Sequence, residues 1–246
     1  MQSHACAYFL VAHGSRDARS MKALHRLTAA FAQAVRPALS IHAGVGSGTL
    51  EFHPQSLTEQ LIHFCQGLPP PCRHVKVLPL LLLSGNHVQQ DIPMAIAQAQ
   101  AILKTDYVLE SLPYLGSHPQ IQRLLQGNEL VCAKIPWILM AHGSQRQGAN
   151  PAIEKLAQTL GMYPAFWVGS PSLEEQVLAL IATPHQRIGI VPYFLFPGRI
   201  ADVIAEQAEQ LELKFKPLTL ALLPPLDSAP TLIALIVDLC LRSEPV

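Results

Sequence analysis

The chain is poor in charge, in aromatic residues and in pairable cysteines. Only 14% of its 246 residues are charged and only 6% are aromatic, and 17 basic residues balance 17 acidic ones. A protein that holds nucleic acid or an anionic membrane surface carries a basic patch or stripe, and a chain with no net charge shows no such footprint. Neither is therefore expected as a partner. The cysteines are Cys6, Cys65, Cys72, Cys132 and Cys240. An odd count without a C-x-x-C pair argues against a disulfide framework, a zinc knuckle or an iron–sulfur cluster, and fits a reducing compartment. No P-loop and no G-x-G-x-x-G occurs, so nothing cradles a nucleotide. The apolar stretch Thr231–Leu241 is interrupted by Asp238 and falls short of a membrane span. Ala5–Ala12 has no basic region before it and runs into His13-Gly14-Ser15-Arg16-Asp17, which reads as a first strand rather than a signal peptide. The expected location is the cytoplasm.

Apolar residues make up half of the chain, enough to bury substantial cores, and the 21 prolines are scattered at element edges. Val77–Pro93, VLPLLLLSGNHVQQDIP, organises the remainder. Its apolar run has strand length, stops at the turn signal Ser84-Gly85, and delivers His87 just before a helical pattern. Open α/β folds present binding groups in this way, at the carboxyl end of a parallel strand. In chain order, strands are expected at Tyr8–Ala12, within Ile41–Phe52 ending near Glu51, at Val75–Leu83 and at Asp106–Leu112. Helices are expected at Ser20–Val35, Ser56–Cys65, Ile92–Leu103 and Pro119–Leu125. Strand–helix alternation implies a parallel sheet with helices on both faces.

The pattern then restarts. Trp137–Ala141 runs into His142-Gly143-Ser144, as Phe9–Ala12 runs into His13-Gly14-Ser15. Ser170–Ile181 resembles Pro54–Cys65, and Val191–Gly198 matches Leu78–Gly85. Three matches in one order indicate an internal duplication. The expected architecture is α/β: two tandem Rossmann-like domains, residues 1–130 and 131–246, each with roughly four parallel strands. With both lobes in one chain, a monomer is expected.

The halves differ at the strand ends. His13 corresponds to His142. Matching Ser56-Leu57 to Ser172-Leu173 sets Glu51 opposite Trp167, and matching the third strands sets Asn86 opposite Arg199 and His87 opposite Ile200. The first half thus places His13, Glu51 and His87 at three strand ends of one sheet, where ligands bind in such folds. Two imidazoles and a carboxylate suit a divalent metal. The second half would be a scaffold half, contributing a wall and His142. Against this stands the abundance of histidine, 11 in all; His4, His25, His42, His53, His63, His74, His118 and His185 read as surface or loop residues.

AHGSRD after the first strand, LEF-x-P-x-SL at Leu50–Leu57 and PLLLLSGNHVQQDIP at Pro79–Pro93 together resemble the class II tetrapyrrole chelatases. The resemblance is closest to the sirohydrochlorin chelatases, the cobaltochelatases of cobalamin synthesis and the ferrochelatases of sirohaem synthesis, in their fused, two-lobed form. It implies two facing lobes with the tetrapyrrole in the cleft, metal-binding histidines at His13 and His87, and the family's acidic position at Glu51. It further implies insertion of a divalent metal (cobalt or iron, with nickel also accepted) without nucleotide and with no cofactor beyond that metal substrate. Gly14, Ser15, Arg16, Gly85, Asn86, His142 and Arg199 are then candidates for holding the substrate, with Arg19 a further candidate for its carboxylates. A non-catalytic carrier or sensor of metal or tetrapyrrole is the rival reading.

Overall fold

The computed structural model describes residues 6–36, 44–126, 135–143, 150–183 and 185–242. Two compact units emerge, one formed by Met1–Ile121 with Ile233–Val246, the other by Gln122–Leu232.

In the first unit, β1 (Cys6–Ala12), β2 (Val45–Thr49), β3 (His74–Pro79) and β4 (Val108–Ser111) form a wholly parallel sheet in the order β2-β1-β3-β4. β1 is buried along its whole length, as its unbroken apolar sequence requires of a central parallel strand. On one face Ala7, Phe9, Val11, Val75 and Val77 pack with Leu57, Leu61 and Cys65 of α2 (Leu57–Gln66) and Ile92, Ile96 and Ala99 of α3 (Ile92–Leu103). Side chains alternate along a strand, so Tyr8 points the other way and meets Phe31 of α1 (Ala18–Val35) edge-on, at 5.6 Å between centroids. Leu61 is fully buried, so its truncation to alanine costs about 2–5 kcal/mol.

The second unit repeats the plan. α4 (Arg123–Gln126) precedes β5 (Trp137–Gly143), α5 (Pro151–Leu160), β6 (Tyr163–Val168), α6 (Leu173–Ile181), β7 (Arg187–Pro192), α7 (Arg199–Lys214) and β8 (Thr219–Leu222), with parallel order β6-β5-β7-β8. Its core joins Ile138, Met140, Ala165 and Ile190 to Leu173 and Val177 of α6 and Ile204 and Leu211 of α7. Both units open the helix after their second strand with a capping box, Ser56/Glu59 and Ser172/Glu175.

Four expectations need correction. The halves are not the contiguous stretches 1–130 and 131–246, because α8 (Leu232–Arg242) packs with the first unit, burying Ile236, Leu239 and Cys240. His118 is no surface residue: its side chain is 0% exposed and lies 2.7 Å from Asp238 of α8. The Gln120 N–H donates to its Nδ1, which leaves Nε2–H to donate to the aspartate. Pro119–Leu125 is not a helix; a 3-10 turn at Leu115–Ser117 and the short α4 stand there instead. Finally, β3 ends at Pro79 rather than Leu83; beyond it the Leu80 N–H still donates to the Val11 carbonyl, but Pro79 itself has no N–H to give to the ladder. The start of the expected second strand, residues 41–43, lies outside the described residues, as do His4, His42 and Cys132. Cys6, Cys65, Cys72 and Cys240 are buried and form no disulfide. Burial pushes Cys65 up to about 11 and Cys240 up to about 12, so both are inert as nucleophiles. Among the described residues no helix is long and apolar enough to cross a membrane.

Candidate metal centre

His13 follows the last residue of β1. The β1–β2 pairing continues past the strands, with the Leu50 N–H donating to the Ala12 carbonyl and the Glu51 N–H to that of His13. This continuation sets Glu51 beside His13, with Nδ1 and Oε2 3.9 Å apart. Gly14 makes the approach possible. Its φ is +99°, and a Cβ there would collide with the Glu51 carbonyl oxygen, so only glycine fits.

His87 arrives from β3. It opens a π-helical turn, His87–Asp91, that leads into α3. Such turns are uncommon and concentrate at functional sites. Its ring meets that of His13 edge-on, with centroids 4.7 Å apart. One ligand atom from each of His13, Glu51 and His87 lies within 4.8 Å of the other two. All three groups are partly open to solvent.

The hydrogen bonds select the tautomers. Asp91 Oδ2 lies 2.6 Å from His87 Nδ1. The carboxylate accepts, so Nδ1 carries the proton and Nε2 keeps its lone pair. His13 Nδ1 lies 3.3 Å from the Gly14 carbonyl, which also only accepts. Both imidazoles therefore present Nε2 as a free donor to a metal, the second-shell arrangement usual for metal-ligating histidine. Asp91 is a site residue that the sequence reading does not single out. The signal for it was its i,i+4 spacing from His87 on a helical segment.

The remaining candidates divide. Ser15 is used locally: its Oγ accepts the Asp17 N–H that precedes the N-cap of α1. Arg19 is held by Asp17 through Nε and the terminal nitrogen. Arg16 is exposed and stacks its guanidinium over the Phe52 ring at 5.2 Å. Gly85 and Asn86 are exposed, and the Gly85 carbonyl accepts the Gln89 N–H as the π-turn begins. His142 and Arg199 belong to the second unit, His142 exposed at the end of β5 and Arg199 exposed at the first residue of α7.

The strand registers correct one correspondence. Ala12 pairs with Thr49, while Ala141 pairs with Phe166 and Gly143 with Val168. The counterpart of Glu51 is therefore Val168, not Trp167. The loop from Glu51 to Ser56 is one residue longer than that from Val168 to Ser172, which displaced the match by one. Gly143 confirms it: its φ is +70°, and a Cβ there would strike the Val168 carbonyl oxygen just as one on Gly14 would strike that of Glu51.

By the same register the residue after the acidic position is Phe52 in the first unit and Gly169 in the second. Both have positive φ, +60° and +115°. Glycine takes that conformation freely, whereas a bulky side chain held there costs on the order of 1–3 kcal/mol. The exposed cation–π contact with Arg16 returns about 0.5–1 kcal/mol. Phe52 is also 54% exposed, so it is not an anchor of the core.

Comparison with known proteins gives the family and the fold. The chain is 27% identical over 150 residues to the sirohydrochlorin ferrochelatase of Priestia megaterium, and the match covers 56% of either chain, a little over half the length of that relative. The fold is that of the sirohydrochlorin chelatase SirB from Bacillus subtilis subspecies spizizenii in complex with cobalt, with a TM-score of 0.71 at 19% identity over 96% of this chain and 93% of that one. It is equally that of SirB from Bacillus subtilis with Fe3+, with a TM-score of 0.74 at 19% identity over 97% and 95%. The CbiX family model matches twice, at residues 7–128 and 136–242; the chain belongs to the CbiX family.

Proposed function

We propose that this protein is a sirohydrochlorin chelatase, inserting cobalt or iron into a tetrapyrrole for cobalamin or sirohaem synthesis. The observation that carries the reading is the convergence of His13, Glu51 and His87, with ligand atoms within 4.8 Å of one another and two Nε2 lone pairs free. Imidazole with carboxylate suits cobalt, iron and nickel.

The reaction exchanges a divalent ion for two pyrrolic protons, so it needs no nucleotide and no redox partner. It does need an ion that is held and then surrendered. Three protein ligands at a solvent-facing edge leave coordination positions open to the incoming ring nitrogens. As these replace the protein donors, the imidazoles and Glu51 are freed, and each is then a base within reach of the leaving protons. Asp91 keeps the His87 ring oriented throughout and strengthens its donor nitrogen. Arg16, exposed three residues beyond His13, suits a substrate carboxylate, which guanidinium pairs bidentately.

The deciding experiment is turnover with purified protein, sirohydrochlorin in large excess, and Co2+ and Fe2+ tested side by side. Conversion of many equivalents per chain supports the chelatase. A halt at one equivalent means a carrier of metal or tetrapyrrole. The faster metal identifies the preference.

A further inference from the structure

The strain at Phe52 is offset only in part within the protein, by the exposed contact with Arg16. The same backbone position in the second unit, which lacks the Glu51 and His87 counterparts, is occupied by Gly169. The unit that carries the metal set holds an exposed phenylalanine there instead, next in sequence to Glu51, with Arg16 laid over its ring. A strained side chain whose contact within the protein returns less than the strain costs points to a ligand. A flat aromatic ring beside a cation matches a flat, conjugated macrocycle fringed with carboxylates: the ring offers a stacking face, and the guanidinium held against it offers a fork for one carboxylate.

We propose that Phe52 is a substrate-contact residue, stacking on the tetrapyrrole and presenting Arg16 to one of its carboxylates. The inference rests on the chelatase reading and extends it by naming how the ring is held as distinct from how the metal is held. The two tasks fall to neighbouring residues, Glu51 for the ion and Phe52 for the macrocycle.

The test is Phe52→Gly, which installs the residue that the second unit already uses. Three quantities are compared with the parent protein: the thermal midpoint, Co2+ affinity by calorimetry, and metal-free sirohydrochlorin affinity by absorbance titration. The midpoint should stay level or rise as strain is released, and Co2+ affinity should be unchanged. Sirohydrochlorin affinity should fall roughly tenfold, the loss expected for one aromatic stacking contact. Phe52→Trp, which keeps a stacking face, should retain most of it. Unchanged sirohydrochlorin affinity in Phe52→Gly overturns the inference and leaves the chelatase reading standing. Parallel loss of Co2+ affinity and thermal stability also overturns it, because Phe52 would then be supporting the loop. If the parent protein binds no sirohydrochlorin at all, the chelatase reading fails and this inference fails with it.

Discussion

The two units share a scaffold and differ in what stands on it. Strand order, parallel register, the glycine after each strand-end histidine and the capping box of the following helix are common to both. His13 and His142 even make the same Nδ1 contact to the next carbonyl, at 3.3 and 3.1 Å. Beyond them the chemistry separates. Glu51 becomes Val168, His87 becomes Ile200 and Asp91 becomes Ile204, the last of these fully buried in the core. The π-turn that displays His87 becomes the plain α-helical start of α7. A polar pair facing solvent has been exchanged for an apolar pair packed on the sheet. The same scaffold therefore forms with and without the His13–Glu51–His87 arrangement.

The comparison is broken most strongly at His87. His87→Ala should lower Co2+ affinity by more than the roughly 10–100-fold typical of losing a second-shell partner, since a ligand itself is removed. His142→Ala should leave Co2+ affinity essentially unchanged, and both variants should keep the parent's far-ultraviolet circular dichroism. The reverse result would transfer the site to the second unit. Asp91→Asn should have a smaller effect, about 10–100-fold on Co2+ affinity, because His87 remains but loses the acceptor that fixes its tautomer.

The scaffold half of the comparison predicts equality. Ser56→Ala and Ser172→Ala each remove one capping box, and each should cost about 0.5–2 kcal/mol in urea unfolding. Hydrogen bonds from Ser56 and Ser172 hold the carboxyls of Glu59 and Glu175 below their ordinary value of 4.5. A depressed carboxyl contributes stability above its unfolded pKa and loses it as pH falls through the folded one. Both substitutions should therefore cost less in acid than at neutral pH. A large difference between the two serines would mean that the units are not equivalent scaffolds.

The duplication and the three first-half residues that converge, His13, Glu51 and His87, were legible because both signals are local. His13 directly follows the apolar run YFLVA, His87 follows PLLLL across the turn Ser84-Gly85-Asn86, Glu51 ends the Gly-rich stretch before the Ser56 helix start, and the repeats of HGS, S-L and P…G keep one order. What was hidden depended on distance or on loop length. The partner of His118 is Asp238, 120 residues away, so nothing near His118 marks it as buried. The same contact draws α8 into the first unit and moves the domain division away from the repeat boundary. Counting back from the helix-start serines sets Glu51 against Trp167 because the loops before Ser56 and Ser172 differ by one residue. The strand register, which only the sheet reveals, restores Val168 and with it the contrast between Phe52 and Gly169.

The central claim is that one shared scaffold carries one metal set, in the first unit alone. Crystals of the protein soaked in Co2+, with data collected at the cobalt absorption edge, test it directly. A single strong anomalous peak bonded to His13, Glu51 and His87 is expected, with His87 still hydrogen-bonded to Asp91 and no peak at His142. A cobalt bound at His142 with the first-unit set empty would contradict it.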